Sequence, residues 1–181
     1  ANAAVFQPQR PFPEIHLRVT EKAIPTGKVR QRRSFVSKSQ YRLMHTAEHI
    51  LNQTMVRLFD CGRCITAHLG RKKSKCDYRF PRDLTDREIE RIEETVNSVV
   101  QADMPVTAED LSPKEAERRL DLSRIPEDPQ DLVRVVRVGD FDICPCVGEH
   151  AESTGELGGF TVSSRSWEYG VLRLRFKLRR G

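Results

Sequence analysis

Two short pairs, HTAEH at 45–49 and CPCVGEH at 144–150, constrain this fold more than any other feature of the sequence. His45 and His49 are four residues apart, so on a helix they share one face, one turn apart. Cys146 and His150 have the same spacing after a strand-like run. Three nitrogens and one thiolate make a tetrahedral zinc shell if the chain brings the pairs together. A fold that does so must return to its first long helix after about a hundred residues. Four protein ligands would give a closed shell, which is the habit of a structural staple, whereas catalytic zinc usually keeps an open position.

HTAEH also matches the inverted zinc-protease pattern HxxEH, with Glu48 as general base and a third ligand among Glu90, Glu93 and Glu94. Those three carboxylates read better as a solvated acidic face. Cys61, Cys64 and Cys76 could form a second zinc site but lack a fourth ligand, and they read as packed cysteines. Cys144 lies two residues before Cys146, on the same side of an extended strand. Three roles stay open for it: approaching the metal, lying beside a substrate, or packing.

The elements around these pairs predict an α+β fold, a mainly antiparallel sheet packed against helices. Residues 43–59 carry helical periodicity, with Ile50, Leu51, Met55 and Leu58 as apolar cover. The clearest helix is 86–102. Thr85 and Glu88 spell a capping box, Ile89, Ile92, Val96, Val99 and Val100 form its buried stripe, and Pro105 stops it. Ser112, Pro113 and Glu115 open a short helix to about Leu120. Strands are expected at 14–20, 29–33, 63–69, 75–80, 132–138, 157–163 and 171–179. In the last, Leu172, Leu174, Phe176 and Leu178 alternate with Arg173, Arg175, Lys177 and Arg179. Pro25–Gly27 reads as a turn, and Pro126 and Pro129 mark a loop. Residues 1–24 read as an N-terminal arm and leading strand, and 25–181 as the zinc-containing domain.

The chain has 31 Lys or Arg against 26 Asp or Glu, a net charge of +5 that leans toward anionic partners. Basic residues gather at 28–42, 71–82 and 171–180. No apolar run approaches the roughly 20 residues that span a bilayer, and no secretory signal is visible. Five cysteines cannot complete a disulfide framework, which points to a reducing, cytoplasmic setting.

With these residues in view, the sequence resembles the second additional domain of alanyl- and threonyl-tRNA synthetases and the free-standing alanyl-tRNA editing proteins. The resemblance runs through HTAEHIL at 45–51, VNSVVQADMPV at 96–106, KEAERRL at 114–120, VRVVRVGDF at 133–141, CVGEH at 146–150, STGELGGF at 153–160 and GVLRL at 170–174. It covers roughly 25–178. It implies one zinc ion on His45, His49, Cys146 and His150, and hydrolysis of the ester joining a wrong amino acid to tRNA. Serine on alanine tRNA is the usual substrate of that branch. The implied partner is a tRNA acceptor end carrying a small amino acid, not DNA; the oligomeric state stays open.

Thr46, Thr66 and His68 are candidates for the amino-acid pocket, and Arg42, Arg71, Lys72, Lys73 and Lys75 for phosphate contacts. The second motif departs from the family's Cys-Gly-Gly-Thr-His at Val147 and Glu149. Cys144 stands where threonyl editing domains carry an aspartate, so that acid–base role falls to Cys144, Asp142 or Glu149 as candidates. The family's barrel motif Gly-Gly-Gln-Pro is absent from residues 1–40. Two rivals remain: a noncatalytic tRNA- or protein-binding module with structural zinc, and a hydrolase of another small aminoacyl ester.

Overall fold

The longest apolar stripe of the sequence becomes α1, Lys38–Phe59. It begins more than a turn before the expected Leu43. A computed structural model describes residues 38–120 and 132–179. The strands expected at 14–20 and 29–33, the turn at Pro25–Gly27, the boundary at 24/25 and the loop at Pro126 and Pro129 lie outside these residues. The described residues belong to one compact unit, Phe35–Gly181.

After α1 come β1 (Thr66–His68), β2 (Ser74–Arg79), α2 (Asp86–Gln101), β3 (Val106–Leu111), α3 (Pro113–Arg119), β4 (Val133–Val138) and β5 (Asp142–Pro145). A 3-10 turn at Thr154–Leu157 leads into β6 (Gly159–Glu168) and β7 (Val171–Arg179). The fold is α+β, but the strands form two antiparallel sheets rather than one. The first has order β1-β2-β7-β6 and the second β3-β4-β5.

α2 starts where its capping box predicts. Thr85 Oγ1 accepts from the Glu88 N–H at 3.3 Å, and the Thr85 N–H donates to Glu88 Oε2 at 2.8 Å. Its buried face is Ile92, Val96, Val99 and Val100. α3 likewise opens with Ser112 as N-cap, Pro113 in its first turn and Glu115 closing a capping box. β7 keeps the predicted bounds, with Leu172, Leu174 and Phe176 fully buried.

The strand expected over 63–69 shrinks to three residues, all exposed. The strand expected at 157–163 is displaced: Glu156 closes a capping box on Ser153, which holds 154–157 in a 3-10 turn, and β6 then runs on to Glu168. β3 had no signal, since VTAEDL buries only Leu111.

The main core gathers the inner faces of α1 and α2 against the first sheet. Met44, Ile50, Leu51 and Met55 meet Ile92 and Val96, with Tyr78, Phe160 and Phe176 from the sheet. Burial of such side chains contributes about 1.5–3 kcal/mol each before conformational entropy opposes it. This packing fixes α1, and β4 against β5 sets the approach of the segment after Pro145.

Candidate metal centre

Two of the four predicted ligands sit on a helix held by that core. α1 presents His45 and His49 one turn apart. The chain leaving β5 presents Cys146, and His150 follows. Their ligand atoms all lie within 4.8 Å of one another. Cys146 Sγ is 3.4 Å from both His45 Nε2 and His150 Nε2. A tetrahedron with arms of about 2.3 Å to sulfur and about 2.0 Å to nitrogen has an S···N edge of roughly 3.5 Å, which these two distances match.

The other ring nitrogens decide the tautomers. Thr46 is fully buried; its hydroxyl donates to Arg42 O at 3.0 Å and accepts from the Ala151 N–H at 3.0 Å. With its proton committed, it accepts from His150 Nδ1, 3.2 Å away. The lone pair of His150 is then on Nε2, toward Cys146. His49 is only 3% exposed, and its Nδ1 lies 3.5 Å from Asp142 Oδ2. Asp142 in turn takes two bonds of 2.7 Å from Arg63, one on each oxygen. This series of contacts turns His49 Nε2 to the centre, the arrangement that orients metal-binding histidines.

Charge at the centre follows from these contacts. Burial pushes the Cys146 thiol up, but hydrogen bonds to His150 and His45 outweigh it and bring it down to about 3. Burial disfavours protonation of His49, yet Asp142, Cys146 and the Glu48 charge raise it to about 9. Burial raises the Asp142 carboxyl, and Arg63 and His49 reverse this to about 2. A thiolate and two carboxylates around the imidazoles favour positive charge at this point.

The loop carrying Cys146 is held from behind. Arg134 Nη1 donates to Cys146 O at 2.5 Å and to Gly148 O at 3.1 Å. Gly148 packs so close to His45 that a Cβ there would overlap the ring at Cε1 and Nδ1. The Gly148 N–H also donates to Cys146 Sγ at 3.4 Å. The outer side is open, where Val147 is 92% exposed and Tyr41 and Glu149 are exposed beside it in sequence to the ligands. The Tyr41 ring lies 5.8 Å from that of His45.

Residues 133–173 match the family described as the threonyl and alanyl tRNA synthetase second additional domain. This chain is a relative of that domain. It is 32% identical over 133 residues to the alanine–tRNA ligase of Treponema denticola, covering 72% of this chain and 22% of that protein. The alanine–tRNA ligase of Methanopyrus kandleri is 32% identical over 136 residues, covering 73% of this chain and 15% of the ligase. The threonine–tRNA ligase of Symbiobacterium thermophilum is 31% identical over 138 residues, covering 68% and 21%. The chain thus spans less than a quarter of the length of these relatives. Among the described residues, no helix is long and apolar enough to cross a membrane.

The remaining sequence candidates divide. His68, Lys73 and Lys75 line one hollow of about 240 Å³ with Gly70, Ser74 and Arg175. Arg71 and Lys72 are exposed in the same β1–β2 connection, and Thr66 is exposed on β1. Arg42 is engaged instead, with Glu156 Oε2 at 2.6 Å. Thr46 is buried behind His150, with no solvent-facing hydroxyl for a substrate. Cys144 is buried at its register position opposite Val136, with its thiol donating to Pro145 O at 3.6 Å. Glu48 is buried and accepts from Asn52, so it does not face the open side as a protease base would. Arg63, Arg134, Tyr41 and Gly148 escaped the sequence reading. The partners of Arg63 and Arg134 lie on distant segments, Tyr41 stands one turn before His45 on α1, and Gly148 had its place inside CVGEH as the available signal.

Proposed function

We propose that this chain hydrolyses the ester of mischarged aminoacyl-tRNA at a zinc ion held by His45, His49, Cys146 and His150, with serine on alanine tRNA as the preferred substrate. One observation carries the reading: in a relative of the synthetase domain, three imidazoles and one thiolate from distant segments converge with zinc spacing on a partly open surface. The donor set and its 3.4 Å edges fit the ion. When bound, zinc supplies a positive charge that orients substrate oxygens and stabilises negative charge on them.

The chain's own groups do the rest. Asp142 and Thr46 hold His49 and His150 in one tautomer each. Arg134 fixes the 146–148 backbone at the mouth. Of the three acid–base candidates, Asp142 and Cys144 are buried and Glu149 is exposed, and the exposed carboxylate is assigned to orient the attacking water. An aminoacyl ester is already labile, so positioning contributes much of the acceleration. Tyr41 offers an aromatic face for the terminal base. His68, Lys73, Lys75 and Arg175, with Arg71 and Lys72 nearby, receive backbone phosphates.

The closed four-ligand shell favours one second reading, a tRNA-binding module with a structural ion. A panel of serine and glycine on alanine tRNA, serine on threonine tRNA, and free aminoacyl esters separates the cases, with zinc measured on the same sample. Turnover of the tRNA substrates with zinc bound is expected. Full zinc without turnover of any ester overturns the enzymatic reading, and turnover of free esters alone moves the substrate off tRNA.

A further inference from the structure

A second cluster of metal-ligating groups lies on the inner side of α1. Glu48 comes from α1, Cys64 from the segment before β1, and Cys76 from β2. Their ligand atoms also fall within 4.8 Å of one another, and all three residues are buried. Cys61, the partner suggested by the CxxC spacing, is not in the group; its thiol faces the Met55 and Gly62 carbonyls.

Cys64 Sγ stands 3.4 Å from Glu48 Oε1, again the edge of a zinc-sized tetrahedron, about 3.5 Å. Tyr78 follows Cys76 by two on β2 and so shares its face. Its side chain is 0% exposed. That phenol interacts with the Cys76 thiol. A fully buried phenol, two thiols and a carboxylate in one apolar core are costly unless something compensates them.

A supporting shell is in place. Asn52 donates through Nδ2 to Glu48 Oε1 and accepts the Cys64 N–H at 2.9 Å through Oδ1. One amide therefore positions two of the three ligands. A hydrogen bond from Cys76 holds the Cys64 thiol below the usual cysteine value and Cys76 well above it.

We propose that Glu48, Cys64 and Cys76, with the Tyr78 hydroxyl as fourth donor, form a second binding site for a thiophilic divalent cation of the zinc type. The two sites share a wall, since Glu48 Oε2 lies 4.0 Å from His49 Nε2. Their charges are complementary. With a divalent ion in each, three neutral imidazoles and one thiolate would leave a net positive centre, and two thiolates with a carboxylate a net negative one beside it.

The test is a metal count on the full chain, purified with reductant, loaded with zinc and freed of excess. Two ions per chain are expected. Cys64→Ser with Cys76→Ser, and separately the near-isosteric Glu48→Gln, should each leave one. Cobalt in place of zinc should show thiolate charge-transfer absorption that weakens in the double variant and persists through His150 and Cys146. One ion in the native chain, unchanged by either variant, overturns the proposal. So does recovery of Cys64 and Cys76 as a disulfide from reduced protein. If the double variant does not fold, the count on Glu48→Gln decides. None of these readouts depends on deacylation, so this site stands or falls apart from the proposed activity.

Discussion

A histidine binds metal through one nitrogen, and whatever holds the other nitrogen selects which one. Thr46 makes that selection at His150, and Asp142 at His49. Asp142→Asn should therefore weaken zinc about 10–100-fold in a competition titration, because the amide can present its donor to Nδ1 and favour the wrong tautomer. Arg63→Ala should weaken it too and cost about 3–5 kcal/mol in denaturant unfolding, by leaving a buried carboxylate uncompensated. Gly148→Ala should displace His45 and lower zinc affinity while the helical circular dichroism stays intact. At this scale the four converging residues were legible from spacing together with the family resemblance. Arg63 was not: its partner Asp142 is 79 positions away, and no local pattern records such a pair.

Elements were legible where local chemistry and burial agree. The Thr85–Glu88 box and the β7 alternation each mark an end or a face by themselves. β3 was invisible because a mostly exposed strand needs no apolar period. α2 carries its own pH signature. Glu88 is drawn from 4.5 to about 2 by Arg82 first and the Thr85 amide second. A depressed carboxylate stabilises the fold above its unfolded value and loses that contribution as pH falls. Thermal melts should thus keep the α2 contribution above about pH 5 and lose it between pH 4.5 and about 2. Glu88→Gln should flatten that part of the acid limb; a limb identical to the native one would refute the assignment. Thr85→Ala should cost about 0.5–2 kcal/mol at neutral pH.

For the whole molecule, the metal centre joins α1 to the segment leaving the second sheet. Removing zinc should loosen that junction. Free zinc at about a hundred times its dissociation constant stabilises a binder by about 2.7 kcal/mol, so a chelator should lower the melting temperature by roughly 5–11 °C. His49→Ala should melt below the native protein and respond less to chelator than the native protein does. The two-sheet arrangement was not legible, because which strands pair depends on contacts no single segment encodes. The wide separation of the ligand pairs also sets an order of events at the ribosome. His45 and His49 emerge first, and roughly a hundred residues follow before Cys146. At about 5–20 residues per second, the half-built site waits about 5–20 s for its thiolate. Through that interval this centre holds only two of its four ligands, too few to keep zinc against cellular competitors, so its ion is a late arrival.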